Sequence, residues 1–133
     1  MRRDRRPPRG VLEGGLAILY EDRDILVIDK PAGLLTIATA SEKSQTAYFI
    51  LTAYVRKALT NARDRLFIVH RLDRDTSGVL LFAKTFESKT KLQEGWATTE
   101  KHYLAIVHGR PAKKSDTITS YLAENKAHRV YST

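Results

Sequence analysis

Apolar residues fall along this chain in short runs, and the spacing within the runs changes from element to element. Ala17-Ile18-Leu19-Tyr20 and Ile25-Leu26-Val27-Ile28 read as two strands joined by the acidic turn Glu21-Asp22-Arg23-Asp24. Asp29-Lys30-Pro31-Ala32-Gly33 breaks the second strand, because proline has no amide to donate and glycine permits a sharp turn. Ala47, Ile50, Leu51, Tyr54, Val55, Ala58 and Leu59 then recur at helical spacing. They give one apolar face over about three turns, expected to be core, with Ser44 as N-cap and Asn61 near the end. Leu66-Phe67-Ile68-Val69 is a short strand. Gly78 to Ala83 is apolar without alternation, the pattern of a central strand covered on both faces. Phe86 to Trp96 reads as a helix, with Trp96 in the core. Tyr103-Leu104-Ala105-Ile106-Val107 is a further strand, stopped by Gly109 and Pro111, and Ile118 to Leu122 is another. Strands outnumber helices and lie in neighbouring pairs. The expected fold is therefore α+β, with a mixed, largely antiparallel sheet and flanking helices.

Composition sets limits on this picture. A chain of 133 residues, 42% of them hydrophobic, fits one globular domain with a real core. The formal net charge is +8, from 23 basic and 15 acidic residues. Half of it sits at the start, where Arg2, Arg3, Arg5, Arg6 and Arg9 face only Asp4. Residues 1–14 read as a flexible basic arm, either solvated or in contact with RNA, and residues 15–133 as the folded domain. Such a balance favours nucleic acid or an anionic surface as partner. The absence of cysteine excludes disulfides, thiol nucleophiles and cysteine-ligated zinc, and suits a reducing cytoplasm. No stretch has the length of a membrane span or the apolar core of a secretory signal.

The chemistry concentrates in His70-Arg71-Leu72-Asp73-Arg74-Asp75-Thr76-Ser77-Gly78, just ahead of the apolar strand. Asp73 lies between two arginines, which would favour its ionised form if close. It is open to several readings: a nucleophile, a general base, a metal ligand, or a loop carboxylate that caps backbone or pairs with an arginine. Metal binding is the weakest, since the only nearby ligands are Asp75 and His70 and the arginines oppose a cation. His102, His108 and His128 have no ligand-like spacing. The run differs from a protein-kinase catalytic loop, a serine-hydrolase elbow and an aspartic-protease triplet by one or more residues each.

The same residues, followed by Leu80-Leu81-Phe82-Ala83-Lys84, closely resemble the signature of the RluA-type pseudouridine synthases. Leu19-Tyr20-Glu21-Asp22 and Leu26-Val27-Ile28-Asp29-Lys30-Pro31-Ala32-Gly33-Leu34 resemble that family's opening strand pair and turn, and Lys101-His102-Tyr103-Leu104-Ala105-Ile106-Val107-His108-Gly109 its Lys-x-Tyr strand. Three ordered motifs are far more specific than one. The resemblance implies isomerisation of a uridine in structured RNA, ribosomal or transfer, to pseudouridine, with no cofactor and no metal. It implies that Asp73 is the nucleophile and that Tyr103 stacks on the uracil and assists proton removal. Arg71 matches an arginine associated with entry of the flipped nucleotide, and Arg74 would add a phosphate contact. His70, Thr76, Ser77 and Gly78 are expected to support the loop: His70 orients it, and Asp75, Thr76 and Ser77 hydrogen-bond within it or fix its backbone.

Members of that family carry a later Gly-x-x-x-Gln-Ile-Arg run whose basic residue approaches the catalytic aspartate. This chain has no glycine after Gly109 and no glutamine after Gln93. It is therefore expected to be the N-terminal portion of a catalytic domain that lacks its C-terminal part, with little or no activity by itself. A noncatalytic RNA-binding module and a remnant without function are the alternatives.

Overall fold

Four antiparallel strands form the sheet around which most of this chain is built. In the computed structural model, residues 10–58 and 65–133 are described. The arginines of the basic arm and the expected helix end at Leu59 and Asn61 lie outside them. β1 (Ala17–Glu21), β2 (Ile25–Lys30), β3 (Phe67–Ile68) and β4 (Gly78–Ala83) lie in the order β1-β2-β4-β3. The β1–β2 turn is closed by Asp22, whose Oδ1 accepts the amides of Asp24 and Ile25 at 2.8 Å each. Burial alone would raise the Asp22 carboxyl. The amides of Ile25 and Asp24, with the Tyr20 hydroxyl and Lys84, outweigh it and hold the group below its usual range. Leu19 is an extra residue in β1, since Ile18 faces Ile28 and Tyr20 already faces Val27. Such a bulge lets both Leu19 and Tyr20 stay exposed.

β2 and β4 pair over six residues, from Ile25 opposite Ala83 to Lys30 opposite Gly78. Alternation along β2 sends Leu26, Ile28 and Lys30 to one face, where Leu80 and Phe82 of β4 join them. α1 (Ala47–Ala58) covers that face with Ala47, Ile50, Leu51 and Val55, as its spacing predicts. The helix is capped by Thr46, whose hydroxyl accepts the Phe49 amide at 3.1 Å, and not by Ser44. Ser44 turns back to Glu42 instead. Residues 10–14 have structure of their own: Val11 bridges to Ala17, and Leu12 packs against the core.

Among the described residues, β4 is not covered on both faces. Val79 is 62% exposed and Leu81 half-buried, because α2 (Phe86–Glu94) reaches only the Ala83 end of the strand. There Phe86 meets Phe67 edge-on at 6.0 Å. An unbroken apolar run reports tolerance of burial on two sides, not the presence of a second layer. α2 begins at Thr85, whose hydroxyl accepts the Ser88 amide, and ends before Trp96. Trp96 is half-buried in a short 3₁₀ turn, outside the core.

Residues 1–100 and 101–133 form separate units. In the smaller, β5 (Leu122–Glu124) pairs antiparallel with β6 (Val130–Ser132). The strand expected from Ile118 thus starts only at Leu122. The strand expected at Tyr103–Val107 does not form, and Leu104 and Ile106 are fully exposed. A β-favouring run becomes a strand only when a neighbour supplies backbone partners and a face to pack on. Among the described residues none pairs with it.

Candidate active site

The loop from β3 to β4 is fixed by contacts to its backbone. Leu72 is buried in the core. The buried Thr36 side chain treats Leu72 as a strand neighbour would: Thr36 Oγ1 donates to the Leu72 carbonyl at 2.6 Å and accepts its amide at 3.2 Å. Two residues on, the Arg74 carbonyl accepts the Gly33 amide at 2.8 Å and the Lys30 ammonium at 3.0 Å. Asp73 lies between these two held residues, exposed, at the start of a turn closed by the Thr76 amide on its own carbonyl. Gly78 then opens β4 at φ 124°, where only glycine is unstrained.

Lys30 is central to this arrangement. It is 0% exposed, and its ammonium donates to the carbonyls of Pro31 (2.9 Å), Leu34 (2.7 Å) and Arg74 (3.0 Å). All three N–H donors of a lysine are thereby used. Burial lowers its pKa, and the carboxylates of Asp75 and Asp73 oppose that only in part. Neither Lys30 nor Thr36 stands out in the sequence, where residues 29–33 read as a turn. The available signal was alternation, since the inward series Leu26, Ile28 continues to Lys30.

His70 supports β4. Its Nε2 accepts the Leu81 amide at 3.2 Å, a bond that β3, ending at Ile68, cannot supply. The imidazole lies against Trp96, ring centres 4.5 Å apart. Nε2 thus serves as an acceptor that ties the loop to the strand.

Arg71, Asp73, Arg74 and Asp75 are all exposed. Among the described residues none of them forms an ion pair within 4.0 Å, so the two arginines do not clasp the aspartate. Both carboxylates instead lie close enough to favour the charged form of the Lys30 ammonium. The side chains of Asp75, Thr76 and Ser77 make no hydrogen bond within the loop; the Thr76 amide does. Tyr103 belongs to the smaller unit and is 63% exposed there. Among the described residues no three His, Asp or Glu side chains cluster as a metal would require, and no helix is long and apolar enough to cross a membrane.

An exposed carboxylate on a rigid backbone, next to unpaired cations, suits a group that meets an anionic substrate. Known proteins give this arrangement a family. The sequence model of RNA pseudouridylate synthase matches residues 24–133, and the chain belongs to that family. A tRNA pseudouridine synthase C of Haemophilus ducreyi is 39% identical over 107 residues, which are 76% of this chain and 40% of the relative. A ribosomal large subunit pseudouridine synthase D of Xanthomonas campestris is 42% identical over 96 residues, 71% of this chain and 28% of the relative. The solved structure of human RNA pseudouridylate synthase domain containing 4 is 27% identical with a TM-score of 0.50, covering 61% of this chain and 29% of that one. The chain thus spans well under half the length of these relatives.

Proposed function

We propose that this chain carries the nucleophile-bearing part of an RNA pseudouridine synthase, with Asp73 as nucleophile. The observation that supports it is the double clamp: Thr36 on Leu72, and Gly33 with Lys30 on Arg74, leaving Asp73 exposed between them. A nucleophile held by its neighbours' backbones needs little reorganisation when substrate arrives. In the reaction the N1–C1′ bond of a uridine breaks and a C5–C1′ bond forms. The C5 proton leaves and N1 gains one, so the base is isomerised without cofactor or metal. The uridine must first leave its stack, at a cost of a few kcal/mol. Arg71 fills the vacated space, Arg74 holds phosphate, and Tyr103 offers its ring to the uracil. The substrate is structured RNA, ribosomal or transfer, and the setting cytoplasmic.

The residues that would carry the family's second basic group to Asp73 have no match in this sequence. The 133 residues alone are therefore proposed to bind RNA and to form little pseudouridine. The test is a chimera in which residues 15–133 replace the matching segment of the Haemophilus ducreyi relative. Pseudouridine in tRNA and rRNA transcripts, read by mass spectrometry, is expected from the chimera and not from its Asp73→Asn form. A chimera that keeps full activity after Asp73→Asn would overturn the nucleophile assignment. Stoichiometric pseudouridine from the chain alone would overturn its dependence on further residues. RNA binding by the chain with an inert chimera would instead favour a noncatalytic RNA-binding module.

A further inference from the structure

Beside the Asp73 loop lies an open groove of about 530 Å³, lined by Pro31, Gly33, Leu34, Glu42, Gln45 and Arg74 among others. It does not contain Asp73. Three of its lining residues, Pro31, Leu34 and Arg74, are those whose carbonyls the buried Lys30 ammonium holds. The groove wall is therefore rigid, and a positive charge lies beneath it. Two of the side chains facing it lack partners among the described residues: the Arg74 guanidinium and the Gln45 carboxamide. Glu42 is the acid in the wall, and its carboxylate stays ionised, held by backbone amides that fix it at the Ser44–Gln45 side of the groove. One of its oxygens accepts the amides of Ser44 (2.9 Å) and Gln45 (2.8 Å) and the Ser44 hydroxyl (3.3 Å). Pro31, Ala32 and Leu34 supply apolar surface.

We propose that this groove is a second RNA subsite, which takes a nucleotide flanking the target uridine while Asp73 faces the target itself. The inference rests on the function proposed above and adds a place for the neighbouring residue of the strand. Arg74 holds the phosphate that joins the two nucleotides. Gln45, which can both donate and accept, meets a base edge or a 2′-hydroxyl. The apolar rim at Pro31 and Ala32 carries the ribose or base face. Arg74 follows Asp73 directly in the chain, and a linking phosphate joins adjacent nucleotides in the same way. A free mononucleotide would use only part of this surface, so the ligand class is an RNA strand.

The test uses the intact chain and a fluorescein-labelled RNA hairpin with uridines in its loop, with binding followed by anisotropy over a salt series. Gln45 is exposed, and only its backbone amide has a structural role. Gln45→Lys is expected to tighten binding by about threefold and Gln45→Glu to weaken it by about as much. Arg74→Gln should weaken binding about fivefold and lower the salt slope by about 0.7, the value of one phosphate on a single strand. Circular dichroism confirms that each variant is folded. Gln93→Lys, at an exposed position on α2 outside the groove lining, supplies the control for added charge. It is expected to change affinity much less than Gln45→Lys, and an equal gain from both would overturn the subsite. If both Gln45 variants bind like the parent while Arg71→Gln loses affinity, the groove is not a subsite and the proposed function stands. If the parent chain shows no salt-dependent RNA binding, both ideas fall together.

Discussion

The two ends of β4 are both dense in charge, and they use it in opposite ways. At the Ala83 end, side chains satisfy one another. Lys84 donates to Glu21 at 2.9 Å and to the Asp22 carbonyl at 2.8 Å, and the Tyr54 hydroxyl donates to the other Glu21 oxygen at 2.9 Å. The Lys84–Glu21 pair is largely shielded, at 15% and 17% side-chain exposure. At the Gly78 end, Lys30 and Thr36 spend their side chains on backbone groups, and the exposed charges of Arg71, Asp73 and Arg74 have no ion-pair partner among the described residues. A closed network ties β1, α1 and the end of β4 together but has nothing left to offer a ligand. The open end fixes the main chain and leaves its ionised groups available. This contrast argues for function at one end more strongly than a list of charged residues would, because unpaired charges on a rigid loop have no structural task.

The contrast can be broken by mutation. The largest expected effect on stability is Lys30→Met. It strips the Pro31 and Leu34 carbonyls of the Lys30 ammonium, while Arg74 keeps the Gly33 amide. The Leu34 carbonyl is buried and the Pro31 carbonyl partly so. At about 1–3 kcal/mol for a buried carbonyl left unsatisfied, and less for the other, a loss of roughly 2–4 kcal/mol is expected in urea unfolding. Lys30→Arg should not rescue it, since the guanidinium is larger than the enclosed site. Glu21→Ala comes next. It leaves the shielded Lys84 without its carboxylate and should cost about 2 kcal/mol, less than the roughly 3–5 kcal/mol seen when fully buried pairs are broken. Were Glu21→Ala to cost more than Lys30→Met, the closed end and not the clamp would be the stiffer anchor of β4. Thr36→Val is smaller, about 1–2 kcal/mol for the lost pair of bonds to Leu72. Its second signature is faster hydrogen exchange at Leu72, with the Leu26 and Phe82 amides unchanged. Uniform acceleration would mean that Thr36 is only part of the core and not a local clamp.

Much of this was legible in the sequence, for a definable reason. The β1–β2 hairpin, β4 and α1 each carry their signal inside the segment: a turn carboxylate at Asp22, an apolar run opened by Gly78, a helical stripe from Ala47 to Val55. The expected strand at Tyr103–Val107 needed a neighbour that local pattern cannot supply. Two-sided burial of β4 failed likewise, since the run permits a second layer but does not encode one. For the candidate site, the aspartate and arginines stood out because charged residues in a motif are conspicuous. What positions them did not. Lys30 acts through carbonyls distributed over Pro31, Leu34 and Arg74, and Thr36 through Leu72, thirty-six residues away. Side chain to backbone bonds, two of them spanning thirty-six and forty-four residues, leave no periodicity to read. Trp96 is a similar case: its size suggested core, yet its ring lies against His70 at the rim of the loop.

The smallest expected effect separates the two ends by pH. Burial first, then the hydrogen bond and negative charge of Glu21, push the Tyr54 hydroxyl up to about 12 from its ordinary 10.0. Below pH 10 the phenol is protonated in both the folded and the unfolded chain, and its contribution to stability is complete. Between 10 and 12 the unfolded chain gives up this proton while the folded chain keeps it, so folding binds the extra proton and stability falls as pH rises. Tyr54→Phe removes that titration. It should lower stability slightly at neutral pH and flatten the decline between pH 10 and 12, which thermal melts of the two proteins would compare. Hydrogen exchange adds the location. In the parent chain the loss of protection over this window should begin at β1 and α1, which Tyr54 joins through Glu21, and spare the Thr36–Leu72 pair. If the loop at Asp73 opened first, the two ends of β4 would be coupled through the strand, and the rigidity of the open end would depend on the closed one.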